Sequence, residues 1–205
     1  MGRFDSANGA AVDSKREKVY FLKGEYLMKV TGFAAGEMRD SKQPWVAVEM
    51  RVEKVLSEDA GLRRGQKPAS FYKLEQALDR SLTTIGAMNM GRLKAFIVEL
   101  MGGPEVFLED NAEEVLEVKA KYFKGTDLEH LMEFDGMTLS EAQDKGLSDS
   151  EAFAILVNGD LIEAIIDGEI DLVGTKIYAN AKESKKLAKN GKPYVNVYWD
   201  AYTED

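Results

Sequence analysis

Alternation of polar and apolar residues is the feature that most constrains the fold of this chain. The clearest run begins at Pro44, and its apolar members are Val46, Val48, Met50 and Val52. A period of two places such residues on one face of a half-buried strand. Residues 24–31 show the same pattern, and residues 67–74 predict a third, shorter strand in which the facing of the adjacent Phe71 and Tyr72 stays open. The first third of the chain therefore predicts three strands.

The period changes further along the chain. Apolar residues recur at helical spacing between Leu93 and Met101, and Gly102-Gly103-Pro104 predicts the end of that helix. Alternation returns at residues 175–180 and 194–199, on either side of Asn190-Gly191, a pair typical of a hairpin turn. Trp199 shares its face with two valines, so we expect it in the core. The predicted order is three strands, a helix and two strands.

Composition excludes several classes of protein and site. The chain has 205 residues, 44% of them hydrophobic, which is enough for one globular domain with an insertion. Cysteine is absent, which excludes disulfides, thiolate zinc sites and cysteine nucleophiles. The longest apolar run, residues 152–157, is too short to cross a bilayer. His130 is the only histidine and has no nucleophile near it in sequence. We expect a cytoplasmic protein that is not an enzyme and has no cofactor and no metal site.

Charge divides the chain into two parts. Residues 104–170 hold eighteen Asp and Glu against four Lys, a net charge of −14, which leaves +5 on the rest of a chain whose total is −9. Within this acidic segment Thr138 with Glu141, and Ser148 with Glu151, have the spacing of capping boxes. We expect a mostly helical acidic insertion, in which residues 113–123 fit a helix or a strand equally well. We predict a flexible arm at residues 1–16 and a core formed by residues 17–103 and 171–205.

A basic segment opposes this acidic balance. Residues 182–192 carry five lysines and one acid, a local charge of +4 between two strand-like runs. Because phosphate binding depends on the local field and not on the net charge, the segment favours a polyanion site. The alternative is a solvated turn, since lysine is common in such loops. The sequence alone leaves both open.

The order of elements matches the layout of an OB-fold, a five-stranded Greek-key barrel, here with a helix after strand 3 and an acidic helical insertion before strand 4. The basic segment falls on the loop between strands 4 and 5. Short motifs add to this layout: Gly24-Glu25-Tyr26, Ser41-Lys42-Gln43-Pro44, Gly91-Arg92-Leu93-Lys94-Ala95-Phe96, Gly174-Thr175-Lys176 and Asn190-Gly191-Lys192-Pro193-Tyr194. In succession they resemble a group of phage-encoded OB-fold proteins that bind single-stranded DNA. The likeness covers about residues 20–103 and 171–203.

The resemblance implies single-stranded DNA binding with little sequence specificity, in phage DNA replication or recombination. Single strands are held by cationic grooves and by aromatic rings that stack on bases. Candidate contacts are the aromatic and basic residues of the polar strand faces and loops: Arg39, Lys42, Trp45, Arg51, Tyr72, Lys73, Tyr178, Lys182, Lys185, Lys186, Lys189, Lys192, Tyr194 and Tyr198. The insertion is expected to recruit replication or recombination proteins. The alternative function is a protein-interaction module, or a mimic of nucleic acid, that acts through the insertion.

Overall fold

The computed structural model describes residues 20–40, 44–74, 85–125, 128–187, 191 and 193–203. The predicted arm, residues 1–16, lies outside them. The strands are β1 (Gly24–Glu37), β2 (Pro44–Val55), β3 (Ala69–Lys73), β4 (Lys176–Leu187) and β5 (Pro193–Ala201). They form one antiparallel sheet in the order β3-β2-β1-β4-β5. The sheet is open, because within the described residues no backbone pairing joins the edge strands β3 and β5.

Helices occupy the positions that the sequence predicts. The helix α1 (Ile85–Leu100) follows β3, and between α1 and β4 lie α2 (Pro104–Asp110), α3 (Ala120–Phe123), a 3-10 helix (Glu129–Phe134), α4 (Leu139–Asp144), α5 (Asp149–Leu156) and α6 (Gly159–Ile166). The mixed α and β class is therefore confirmed. None of the helices in the described part of the chain is long and apolar enough to cross a membrane.

Two hydrophobic clusters form the interior. The larger cluster joins the inward residues of the sheet to α1, and it includes Phe107 of α2 and Ile162 and Ile165 of α6. The smaller cluster lies within the acidic segment and contains Leu116, Leu131 and Leu139 among others. Phe107, Ile162 and Ile165 belong to the larger cluster although they lie within the predicted insertion, residues 104–170.

The acidic segment has the helix starts that its sequence predicts. Thr138 and Glu141 form a reciprocal capping box at the start of α4, and Ser148 with Glu151 does so at the start of α5. Residues 113–123 are neither one helix nor one strand: Val115 makes a single antiparallel bridge to Thr138, and only the last residues form α3. Lys94 of α1 fastens this segment to the core, since its Nζ donates to the backbone carbonyl of Ala154 at 2.9 Å.

Candidate nucleic-acid interface

The outward face of the sheet carries six of the fourteen predicted site residues. Along β2, Val46, Val48, Met50 and Val52 are buried in the core, as the alternation predicts. The residues between them point to the other side, which we call the outward face. On β4, Ile177 and Ala179 are buried while Tyr178 and Lys182 point outward. Predicted residues from three strands therefore share one surface.

An aromatic pair lies at the β2–β3 end of this face. The rings of Trp45 and Phe71 stack, with centroids 5.4 Å apart and 29° between their planes. Trp45 lies opposite Gly36 of β1, where a Cβ would come within 2.9 Å of the indole. A side chain at position 36 would therefore displace the ring. Phe71 is 53% exposed, so one flat apolar surface is available to solvent.

Tyr72 corrects one predicted contact. It lies opposite Val46 and is only 6% exposed, with its ring 6.3 Å from that of Phe96 on α1. Burial raises the pKa of Tyr72 to about 12. A base cannot stack on a ring in the core, so Phe71 and not Tyr72 is the outward aromatic residue of β3. The sequence left this facing open because the strand is short and its two rings are adjacent.

A second aromatic group lies on β4 and β5. Tyr178 and Tyr198 point outward, and Tyr198 and Tyr194 are 56% and 54% exposed. The Nζ of Lys182 lies 5.7 Å from the centroid of Tyr198. Sequence reasoning missed Tyr202, whose ring centroid is 5.5 Å from that of Tyr178. Tyr202 lies after the last alternating run of the sequence. Only its position in the β4–β5 pairing, one residue beyond Ala201, could have indicated that it is near Tyr178.

The basic segment is a strand ribbon and not a loop. Gly24, the first residue of β1, lies opposite Ala181, so β4 continues past β1 as far as Leu187 and pairs there only with β5. Lys182, Lys185 and Lys186 stand on this ribbon and are exposed. The prediction that residues 182–192 form a loop is wrong for this part, because the pairing with β5 extends further than the polar composition indicates. Lys189 and Lys192 lie outside the described residues.

The remaining predicted residues are distributed as follows. Arg51 points outward from β2 and its guanidinium lies 3.3 Å from the Glu53 carboxylate. Arg39 is exposed after the end of β1. Lys42 and the side chain of Lys73 lie outside the described part of the structure. Trp199 is partly buried and packs against the core as predicted, with its ring 4.8 Å from that of Phe96.

The histidine and acidic side chains of the described residues are dispersed. Within them, no three histidine or acidic side chains are grouped closely enough to hold a metal ion. The lone histidine, His130, lies in the acidic segment with its Nε2 2.7 Å from a carboxylate oxygen of Glu151. Comparison of the chain with protein-family models, curated proteins and solved structures finds no match.

Proposed function

We propose that this chain binds single-stranded DNA with little sequence specificity, through the outward face of its sheet and the basic ribbon. The observation that carries the proposal is the placement of two aromatic groups, Trp45 with Phe71 and Tyr178 with Tyr198, on one exposed face beside exposed lysines. Rings of this kind stack on any base, and lysines contact phosphates. Phage DNA replication or recombination is the setting that we propose, on the sequence resemblance alone.

The strand order supports an OB-fold as the scaffold of this function. A Greek key returns its fourth strand to lie beside the first, in the spatial order 4-1-2-3, and β4-β1-β2-β3 has that order. OB-folds are partly open Greek-key barrels of five strands. The edge strands β3 and β5 both contact α1, where Phe96 packs between Tyr72 and Trp199. We propose that α1 occupies the opening of such a barrel.

Stacking gives the mechanism its selectivity for single strands. A base must leave its duplex neighbours to lie on Phe71 or Tyr198, and each stacked base contributes about 1–3 kcal/mol. A duplex offers phosphates to the lysines but keeps its bases paired, so it gains only the electrostatic part. The protein is therefore expected to bind a single strand more tightly than a duplex of the same length.

A titration of labelled oligonucleotides tests the function directly. Thymidine and mixed-sequence single strands should bind alike, and duplexes of equal length should bind more weakly at the same salt concentration. Equal affinity for single strand and duplex would refute the stacking mechanism. Failure of every oligonucleotide to bind at low salt would refute the function.

A second candidate function belongs to the acidic segment. Its separate hydrophobic cluster and its net charge of −14 favour a folded acidic surface that docks a basic protein or occupies the groove of a nucleic-acid-binding protein. Binding of a basic replication protein, with no binding of oligonucleotides, would support this candidate over the first.

A further inference from the structure

Cations from neighbouring strands lie directly opposite one another on the outward face. Arg51 of β2 is paired with Lys29 of β1, and Lys29 is paired with Lys176 of β4. Each of the three is next to a buried strand residue, namely Met50, Met28 and Ile177. Alternation therefore turns all three side chains to the same side of the sheet.

The row continues to both edges of the sheet. Glu49 is paired with Ala69, and the N–H groups of Met50 and Val52 donate to the carbonyls of Pro68 and Gln66 at 3.2 and 2.9 Å. These bonds continue the β2–β3 register beyond Ala69, so that Lys67 lies opposite Arg51. Lys67 is exposed while the neighbouring Pro68 is buried.

At the other edge the row ends on a ring. Ile177 is paired with Ala201, so the next outward pair is Lys176 with Tyr202. The Nζ of Lys176 accordingly lies 5.0 Å from the centroid of the Tyr202 ring. We call Lys67, Arg51, Lys29 and Lys176 the cation row, and it crosses four strands and reaches an aromatic residue at the fifth.

Neighbouring cations in such a row repel one another. Like charges directly opposite each other on paired strands are destabilising. The row itself contains no acid, although Glu49 and Glu53 point outward on either side of Arg51, and Glu53 forms an exposed ion pair with it, so the two acids offset part of the repulsion. A line of negative charge laid along the row would relieve the repulsion between all of its neighbours.

The dimensions of the row fit a chain of phosphates. Five strands at about 4.8 Å spacing span about 19 Å, whereas one phosphate would reach only one or two of the cations. One strand of B-DNA carries a phosphate about every 3.4 Å, which is a compact spacing, so the row matches at most about five or six nucleotides. We infer that the phosphate backbone of the bound single strand crosses the sheet along the cation row, perpendicular to the strands, and that its last base lies at Tyr202. The inference rests on the proposed function and names the path of the ligand.

The test uses a double variant and a control of equal charge. Lys29→Gln with Lys176→Gln removes the middle and one end of the row while keeping much of the aliphatic stem of each side chain. Lys124→Gln with Lys145→Gln makes the same change of net charge in the acidic segment, where both lysines are exposed. Affinity for an oligothymidine would be measured from low to high salt in each protein.

Two results are expected of the row variant. Its log-log salt slope should fall by about 1.4, since each single-strand phosphate contact contributes about 0.7. Its Tm at low salt should stay close to that of the natural protein, because the loss of cross-strand repulsion and the loss of the Lys176–Tyr202 contact act in opposite directions. The control should change neither quantity. A Tm close to that of the natural protein also shows that lost binding does not come from unfolding.

The outcomes separate the path from the function. A row variant that binds with the salt slope of the natural protein overturns the path and leaves single-strand binding intact. An equal fall of slope in the control overturns it too, because the effect would then follow net charge and not position. A natural protein that binds no oligothymidine at low salt overturns both the path and the function.

Discussion

Trp45 and Phe71 stack across neighbouring strands although they are not paired with each other in the sheet. Trp45 is paired with Lys73 and Phe71 with Ala47, so the two rings are diagonal neighbours, a separation that aromatic side chains can span. The contact holds each ring in place and contributes about 0.5–1.5 kcal/mol. A base that lies on Phe71 therefore meets a surface that is already ordered.

The first prediction concerns this pair. Trp45→Leu and Phe71→Leu should each weaken single-strand binding by about 1–3 kcal/mol, the contribution of one stacked base. Val115→Ala, at an exposed apolar residue in the acidic segment, should leave binding unchanged. Equilibrium titration measures both, and full affinity in both ring variants would show that the pair only packs.

Fluorescence gives the same prediction an independent readout. The chain has two tryptophans, Trp45 on the outward face and Trp199 on the other face of the sheet, partly buried against the core. Oligonucleotide binding should quench the emission of Trp45 and not that of Trp199. The Trp45→Leu variant should therefore keep a fluorescence signal that does not respond to the oligonucleotide. Quenching that persists in this variant would place the ligand on the core side of β5, near Trp199 and α1, and not on the outward face.

The second prediction concerns the ribbon. Replacement of Lys185 and Lys186 with Ala should lower the salt slope by up to about 1.4, because two phosphate contacts are lost. Both side chains are exposed, so the Tm should stay the same. The paired control is Lys124→Ala with Lys145→Ala. An unchanged salt slope in the ribbon variant would mean that these lysines are exposed to solvent and do not contact phosphates.

Local periodicity was sufficient to predict the strands, α1 and the helix caps. Apolar residues two apart, as at Val46 and Val48, determine which side chains face the core before any tertiary contact is known. The Thr138 and Glu141 capping box is equally local. These features depend on neighbours within four residues along the chain, which is why the sequence contains them.

Features that depend on pairing between strands could not be predicted. The cation row exists because the register brings Arg51, Lys29 and Lys176 together from residues far apart in sequence. The ribbon extends to Leu187 because β5 pairs with it there. The packing of Ile162 and Ile165 with the sheet core is likewise tertiary.

The third prediction is a pH dependence at Glu151. Its carboxylate accepts hydrogen bonds from the Ser148 hydroxyl and N–H and lies beside His130, and together these contacts lower its pKa from 4.5 to about 2. Because the folded pKa is below the ordinary value, the stabilisation is fully present above about pH 4.5 and is lost as the pH falls towards 2. Glu151→Gln should therefore lower the free energy of unfolding at pH 7 and have progressively less effect below pH 4.5.

Urea unfolding at pH 7, 4 and 2.5 measures this difference. Glu109→Gln changes an exposed carboxyl of α2 and serves as the control. A Glu151→Gln effect of the same size at every pH would contradict the prediction, since it would show that the lost stability does not come from the ionised carboxylate.

The fourth prediction is a stability gain at alkaline pH through Lys94. Burial lowers the pKa of this partly buried lysine from 10.5 to about 8. Between these values the unfolded chain binds more protons than the folded chain, so the free energy of unfolding should rise with pH, by up to about 3 kcal/mol in total. Lys94→Met should lose this rise, while Lys124→Met should keep it. If the free energy of unfolding rose with pH equally in Lys94→Met and in the natural protein, burial of the charged lysine would not be the cause of the rise.

The last prediction separates the two hydrophobic clusters. Replacing residues 113–147 with a short Gly-Ser linker removes most of the smaller cluster but keeps α2, α5 and α6, so the sheet core should still unfold cooperatively. Replacing residues 105–169 also removes Phe107, Ile162 and Ile165 from the larger cluster, and each lost core side chain of this size costs about 2–5 kcal/mol. That second protein should not fold.

Because the shorter deletion removes nine acids and four lysines, its affinity for oligothymidine should be unchanged or higher. A shorter deletion that folds and no longer binds would place part of the DNA site within residues 113–147, away from the outward face.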